Sequence, residues 1–287
     1  MSRSIDGRVV AITGGARGIG LATAKQLYAA GARVAIGDID GDEAERAAAS
    51  IGADVLATRL DVTNADSFRA FLALAERELA PVDVLINNAG IMPIGPFLEE
   101  SEATAARILD INAGGVITGM KLALPAMLAR GSGQIVNMAS VAGRSPVPGG
   151  LSYAASKAAI VSATESARVE FAGRGVLFTC VMPSFTATDL IAGTKGVRFI
   201  PNVTPEAVAK AITGAIQRPK KDVFVPGSVG VVIRTQPMIG RRMRDAVNHF
   251  IRADQTFLDV DTSARAYYED RISQPVASDA AAEHEVR

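Results

Sequence analysis

Val9-Val10-Ala11-Ile12-Thr13-Gly14-Gly15-Ala16-Arg17-Gly18-Ile19-Gly20 is the stretch that decides the fold. The four leading apolar residues read as a buried strand. The pattern that follows reads as a helix running to Ala30 and ended by Gly31. Between them the backbone must turn sharply. A pyrophosphate approaching main-chain N–H groups there needs residues with no Cβ and with access to positive φ, which glycine supplies. The helix N-terminus then offers unpaired N–H donors and the positive end of its dipole to the phosphates. The spacing is G-x-x-x-G-x-G rather than G-x-G-x-x-G, and a glycine-rich turn alone also serves as simple chain reversal. Its place directly after a first strand points to a dinucleotide, with Gly14, Arg17, Gly18, Ile19 and Gly20 as candidate contacts.

Outward from this unit, short apolar runs alternate with helical patterns. Strands are expected at Arg33–Ile36, Val55–Leu60, Val82–Ile86, Gln134–Asn137, Leu177–Val181 and Asp222–Val225. Helices are expected at about Asp42–Ser50, Asn64–Leu79, Ala103–Arg130, Ser152–Ala172 and Pro205–Gln217. Repeated β-α-β units with continuously apolar strands imply a doubly wound parallel sheet, a Rossmann-like three-layer α/β/α arrangement. No segment between units has a linker's composition, so residues 1–226 form one dinucleotide-binding catalytic domain. Residues 227–287 form a helical C-terminal extension whose last dozen residues are expected to be disordered.

Composition narrows the function. Thirty basic and thirty acidic side chains cancel, so no net charge draws the chain towards nucleic acid or an anionic membrane. One cysteine, Cys180, excludes an internal disulfide framework, and with only two histidines a Cys/His metal site is not expected. The N-terminus runs directly into a strand, without the look of a signal peptide. Apolar runs such as Val229–Ile233 are too short to cross a bilayer. A cytoplasmic protein with a small-molecule substrate is the expectation.

Asp38 lies just past the second strand, where a carboxylate accepts hydrogen bonds from an adenosine ribose and repels a 2′-phosphate. Helix capping is the alternative use, for which Asp40 and Asp42 are better placed. Arg17 argues the other way, since arginine in this turn can meet a 2′-phosphate. NAD is the expected cofactor and NADP the alternative. Tyr153 and Lys157, four apart, share one face of a helix. A free tyrosine, with a pKa of about 10, is a poor base at neutral pH. A neighbouring ammonium and the cationic oxidised nicotinamide would favour its phenolate. Ser140, after the fifth strand, sits where ligand groups gather and can orient a substrate oxygen. Y-x-x-x-K also occurs in ordinary amphipathic helices. The ordered set of glycine turn, Asn87-Asn88-Ala89-Gly90, Ser140 and Tyr153-x-x-x-Lys157 is far more specific.

This set resembles the short-chain dehydrogenase/reductase family in its common single-domain form. The resemblance rests on Thr13–Gly20, Asp61-Val62, Asn87–Gly90, Asn112, Ser140, Tyr153–Lys157 and Pro183–Thr188, over roughly residues 5–226. It implies that Asp61 and Val62 meet the adenine, and that Asn88, Ala89 and Gly90 line the cofactor channel. It implies that Asn112 bends its helix and holds a water passing protons from Lys157, and that Lys157 also bonds the nicotinamide ribose. It further implies that the loop from Pro183 holds the carboxamide, near Thr186 and Thr188. Ser184 stands where the family usually has glycine, and the chain beyond Val225 is longer than the family's usual ending.

Met92, Ile94, Val147, Pro148, Met182, Phe185, Leu190, Phe199 and Ile200 flank the inferred site and would line an apolar pocket, although core packing explains each as well. Arg144, Lys195 and Arg198 read as solvated surface, and His249 and His284 as surface residues. Hydride transfer between NAD(H) and a secondary alcohol or ketone is the leading function. NADP-dependent ketone reduction and a catalytically silent dinucleotide-binding regulator are the alternatives. Small apolar residues on several helix faces (Ala154, Ala155, Ala158, Ala159, Ala163, Ala167) point to a homo-oligomer, a tetramer or a dimer. Phe250, Phe257, Leu258, Val260, Tyr267 and Tyr268 are too many large apolar groups for a solvated linker. The segment from Val229 to Tyr268 is therefore expected to fold onto the substrate entrance or a neighbouring subunit, with membrane binding through its arginines as the rival reading.

Overall fold

Seven strands alternate with helices: β1 Val9–Thr13, β2 Arg33–Asp38, β3 Leu56–Arg59, β4 Val84–Asn87, β5 Gly133–Met138, β6 Val176–Pro183 and β7 Asp222–Val225. The computed structural model describes residues 3–197, 202–250 and 254–273. Arg198, Phe199, Ile200, Ile251, His284 and the last dozen residues lie outside the described residues. The strands form one parallel sheet in the order β3-β2-β1-β4-β5-β6-β7. The chain winds outward in both directions from β1 and β4, so a crevice opens between their carboxyl ends, the ordinary ligand position in such sheets.

Both sheet faces are covered, which is why the strands are apolar on both sides. On one face lie α1 (Gly18–Ala29), α2 (Gly41–Ile51) and α7 (Pro205–Gln217), packing Leu27, Ala44, Ala48, Val208 and Ile212 against Val10, Ile12, Val34 and Ile36. On the other lie α3 (Ala65–Glu78), α5 (Gly115–Arg130) and α6 (Leu151–Glu170), with Phe68, Phe71, Val116, Met120 and Ile160 packed on Val9, Ala11, Leu85 and Ile135. Cys180 belongs to this second core as a small buried residue.

Among the described residues, side-chain caps start four of the α-helices. Asp40 caps α2 by accepting from Glu43 N (3.1 Å), and Asn64 caps α3 by accepting from Asp66 N and Ser67 N. Ser101 caps α4 (Glu102–Leu109), and Thr204 caps α7. α1, like α5, α6 and α8 (Gly227–Thr235), has no side-chain cap; its N-cap is Arg17.

The long helix expected over Ala103–Arg130 is divided. α4 runs to Leu109, a π-helical turn covers Asp110–Gly114, and α5 resumes at Gly115. Asn112 sits in that turn, where one extra residue per turn re-aims side chains. The whole stretch Glu102–Arg130 is long and apolar enough to cross a membrane by length and composition, contrary to the sequence reading. Here it packs on the sheet through Val116, Met120, Ala123 and Met127. Beyond β7 come α8 (Gly227–Thr235), α9 (Arg241–Phe250) and α10 (Thr262–Ser273). Gly230 of α8 lies against Phe224 of β7, and Arg234 covers the same ring at 5.1 Å.

Candidate active site

A cavity of about 940 Å³ follows the carboxyl edge of the sheet. Gly14, Arg17, Gly18, Ile19 and Asp38 line one end, Asp61, Val62, Asn88, Ala89 and Gly90 the middle, and Ser140, Tyr153, Lys157, Pro183, Thr186 and Thr188 the rest. Sixteen of the eighteen residues singled out from sequence therefore border one space. Gly20 and Asn112 stand behind its wall.

The glycine turn is fastened from below. Thr13 Oγ1 accepts from Asn88 N (2.9 Å) and Ala89 N (3.0 Å), and Asn88 Nδ2 donates to the Thr13 and Gly14 carbonyls. Gly14 has φ +65°, and a Cβ there would stand 2.8 Å from Ala89 Cα. A side chain at Gly20 would drive into the Gly14 carbonyl, so Gly20 serves the close approach of helix and turn. Sequence reading gave Thr13 no role, although it stands in the deciding stretch. A threonine ending a strand before such a turn is the only signal it left.

Asp38 ends β2. Its carboxylate accepts from Ala16 N (3.1 Å) and Asp40 N (3.3 Å), and burial raises its pKa while those bonds oppose the shift. Arg17 is bound by Asp40 at 2.8 Å and Glu43 at 3.5 Å. Its hydrogen bond holds the Asp40 carboxyl below its ordinary value. Asp61 accepts from Thr63 N and Thr63 Oγ1, with its own N–H bound by Ser67. These features fit a dinucleotide. The α1 N-terminus has no side-chain cap, unlike α2, α3, α4 and α7, so its first N–H groups are available to phosphate. A carboxylate stands at the strand end where a ribose would lie.

At the other end, α6 carries Tyr153 and Lys157, both buried. Burial pushes the Tyr153 phenol up to about 12, opposed by a hydrogen bond with Ser140. In the chain alone, without the cationic nicotinamide that the sequence reading set beside the ammonium, burial decides the direction. Lys157 Nζ donates to Met138 O (2.8 Å), lies 5.7 Å from the Tyr153 ring centroid, and is itself lowered to about 8 by burial. Ser140 Oγ also accepts from Ala142 N (3.1 Å). Asn112, fully buried, clamps Ile91 in both directions: Oδ1 accepts from Ile91 N (2.8 Å) and Nδ2 donates to Ile91 O (2.9 Å). Nδ2 also donates to Ser156 of α6 (3.0 Å). The π-turn thus ties the loop after β4 to the helix bearing Tyr153.

The loop after β6 folds over the cavity. Ser184 N donates to Val225 O, a main-chain bond that continues the pairing with β7 and that glycine would make equally. Thr186 bonds the Ser184 carbonyl (3.0 Å), and Thr188 lies against Gly18 of the turn.

The substrate end is apolar. Met92, Ile108, Ala142, Tyr153 and Phe257 form one cluster, joined by Ile94, Val147, Phe185 and Leu190. Two residues assigned there from sequence do not belong. Met182 is fully buried in the sheet core, because its side chain alternates inward along β6, and Pro148 is exposed. Lys195 pairs with Asp259 (2.5 Å), and Arg144 lies 3.9 Å from Glu165, both on the exposed surface. No group of metal ligands occurs among the described residues.

The C-terminal segment completes this end. Phe257 stacks on Phe185 with centroids 5.5 Å apart. Tyr268 Oη accepts from Met92 N (2.7 Å). Arg265, 2% exposed, donates to the carbonyls of Leu190 (2.8 Å), Ala192 (3.2 Å) and Met92, and to Glu269 (2.5 Å). Arg271 bonds Asp189 (2.8 Å). Sequence reading brought this segment towards the entrance through its aromatics but did not find Arg265 or Arg271.

The comparisons agree with the geometry. The chain is 37% identical over 195 residues to 2,5-dichloro-2,5-cyclohexadiene-1,4-diol dehydrogenase of Sphingobium indicum, covering 67% of this chain and 78% of that protein. It is 37% identical over 224 residues to cis-4-hydroxycyclohexanecarboxylate dehydrogenase of Sinomonas cyclohexanicum, covering 77% and 88%. A short-chain dehydrogenase/reductase of Burkholderia phymatum, solved in complex with NAD, superposes with a TM-score of 0.75 at 26% identity, covering 81% of this chain and 93% of that one. The short chain dehydrogenase family profile matches residues 8–195, and the protein belongs to that family.

Proposed function

We propose that this oxidoreductase transfers a hydride between NAD(H) and a secondary alcohol or ketone with an apolar body, using Tyr153 as acid and base. Family membership makes it an NAD(P)-dependent alcohol dehydrogenase or reductase. The observation that carries the finer reading is the continuous cavity. It joins the uncapped α1 N-terminus and Asp38 at one end to Tyr153, Ser140 and an apolar wall at the other. When bound, the cofactor supplies the hydride donor or acceptor, and its oxidised ring carries a positive charge. In ketone reduction Tyr153 gives its phenolic proton to the substrate oxygen; in alcohol oxidation it takes that proton back. Ser140 holds the same oxygen by hydrogen bonding. Lys157 stands beside Tyr153 to hold the nicotinamide ribose, and Asn112 keeps the loop and helix in register for a proton path to solvent. The two relatives described above are named for cyclic alcohols, which supports a ring as the substrate body; a galactitol 2-dehydrogenase of similar identity is named for an acyclic polyol. Turnover of purified protein with NAD⁺ against cyclic and aliphatic secondary alcohols, read as reduced-cofactor absorbance, tests the assignment.

The proposed preference for NAD rests on charge. The guanidinium that a 2′-phosphate would need is held by Asp40 and Glu43, and Asp38 stands beside it. Asp38→Ala should weaken NAD(H) and relieve the repulsion of NADP(H), shifting the ratio of dissociation constants about 10-fold or more towards NADP(H), as expected for loss of a charge-assisted pair. Titrating both cofactors into both proteins measures this, and a native chain preferring NADPH contradicts the assignment.

The extension, residues 227–287, is proposed to serve the substrate end of the catalytic unit. The chain is also proposed to be a homo-oligomer, a tetramer or a dimer. The outer face of α6 leaves Leu151, Ala155 and Ala158 exposed at its start and Val169 near its end, apolar groups that a two-fold copy would cover. Light scattering after size exclusion should give a multiple of 29.8 kDa; a monomer at micromolar concentration contradicts both versions.

A further inference from the structure

We propose that the Tyr268 hydroxyl, from α10, is a second hydrogen-bond donor of the substrate site, and that the substrate is an apolar alcohol or ketone bearing a second oxygen function. Tyr268 is 2% exposed and borders the same cavity as Tyr153. Its oxygen already accepts from Met92 N at 2.7 Å. Among the described residues, none accepts its proton. The carbonyls that α10 covers, those of Met92, Leu190 and Ala192, are taken by Arg265. A buried donor with no acceptor is unfavourable, and native structures rarely keep one without a use.

The ring is held so that its hydroxyl cannot swing away. The Arg265 guanidinium carbon lies 4.6 Å from its centroid and that of Arg271 5.4 Å. Met92, Phe185, Leu190 and Phe257 on the same cavity wall carry no acceptor oxygen in their side chains. Glu269 of the same helix and Tyr153 are the oxygen-bearing neighbours of Tyr268, and neither is hydrogen-bonded to it. A ligand oxygen is the remaining partner, and an apolar surround makes that one bond selective. Burial raises the Tyr268 pKa beyond the ordinary phenol value, so the group remains a donor wherever the enzyme works. One substrate oxygen is claimed by Tyr153 and Ser140 at the reacting carbon. The second, on the α10 side of the cavity, meets Tyr268. A cyclic diol, a hydroxyketone or a hydroxy acid has this form.

The inference rests on the hydride-transfer reading, and its test separates the two. Native protein and Tyr268→Phe are assayed with NAD⁺ on matched cyclic alcohols differing by one hydroxyl, cyclohexanol against the cyclohexanediols. Phe keeps the ring and removes the donor; it also takes the acceptor from Met92 N, a loss common to both substrates that the ratio cancels. The ratio of kcat/KM for the best diol to that for cyclohexanol should fall by about 10-fold, the size of one buried hydrogen bond to substrate. The loss should appear mainly in KM. A ratio that stays within about 2-fold overturns the proposal, whether both rates fall together or neither changes, and leaves hydride transfer standing. Native protein that oxidises no alcohol of the panel with either cofactor overturns the hydride-transfer reading, and the role of Tyr268 falls with it.

Discussion

Tyr153→Phe should lower turnover by at least about 100-fold while dinucleotide binding survives, because the lost atom is the one that moves the proton. The ring remains to fill its place in the cluster with Met92, Ile108 and Phe257, so the substitution opens no cavity. Steady-state rates on any accepted substrate, with cofactor dissociation constants from reduced-nicotinamide fluorescence, give both halves of the result. Near-normal turnover in the variant would remove Tyr153 from the reaction. The pH dependence is a second reading of the same group. Burial holds the phenol protonated up to about 12 in the free chain. Ketone reduction consumes that proton and needs no prior ionisation, whereas alcohol oxidation needs the phenolate. Raising the pH from neutral therefore increases oxidative kcat/KM and does not increase the reductive one. Lys157, lowered to about 8, is an ammonium below that value and loses its proton above it. The ribose contact proposed for it weakens in that range. An oxidative profile flat from neutral to alkaline pH contradicts this account.

That Tyr153 and Lys157 lie together was readable from their spacing of four on one helix. The direction of the tyrosine shift was not. Periodicity places the ammonium near the phenol but cannot weigh it against desolvation, and here Lys157 Nζ is spent on the Met138 carbonyl. The glycine turn was legible for the opposite reason: its chemistry is local, set by φ and by the absence of Cβ within eight consecutive residues. Asp38 was found from its position after β2. That Arg17 is already bound by Asp40 and Glu43 needed the turn and α2 brought together in space. The helix expected over Ala103–Arg130 shows a similar limit. The apolar pattern continues through the π-turn, so periodicity left the bend unmarked; only the family resemblance at Asn112 pointed to it, and Gly114 and Gly115 beside it were the unused local signal. Met182 was misassigned because a continuously apolar strand does not declare which of its residues reach the edge.

The C-terminal segment carries the other large expected effect, at Arg265. Aromatic residues announced that this segment packs somewhere; an arginine in it reads as surface. Its side chain is instead buried, binding three carbonyls from two loops and one carboxylate of its own helix. The loop after β6 and the loop after β4 meet nowhere else through so many charge-assisted bonds among the described residues. Arg265→Ala leaves three carbonyls without their charged donor, while the Glu269 carboxylate, 41% exposed, turns to water; removing one partner of a buried charged network costs about 3–5 kcal/mol. Whole-domain stability is only about 5–15 kcal/mol. The sheet need not bear that cost, because α10 lies at the end of the described chain and can detach locally while β1–β7 stay folded. The expected outcome is therefore specific. Limited proteolysis should cut between Asp254 and Ser273 much faster than in the native protein, and KM should rise as Phe257 and Tyr268 leave the cavity wall. Cofactor affinity, set by the far end of the cavity, should persist. Arg265→Lys should not restore the native behaviour, since one ammonium cannot span the fork that the guanidinium fills. A variant as protease-resistant as the native chain, with an unchanged KM, would show that α10 is held by its aromatic contacts alone.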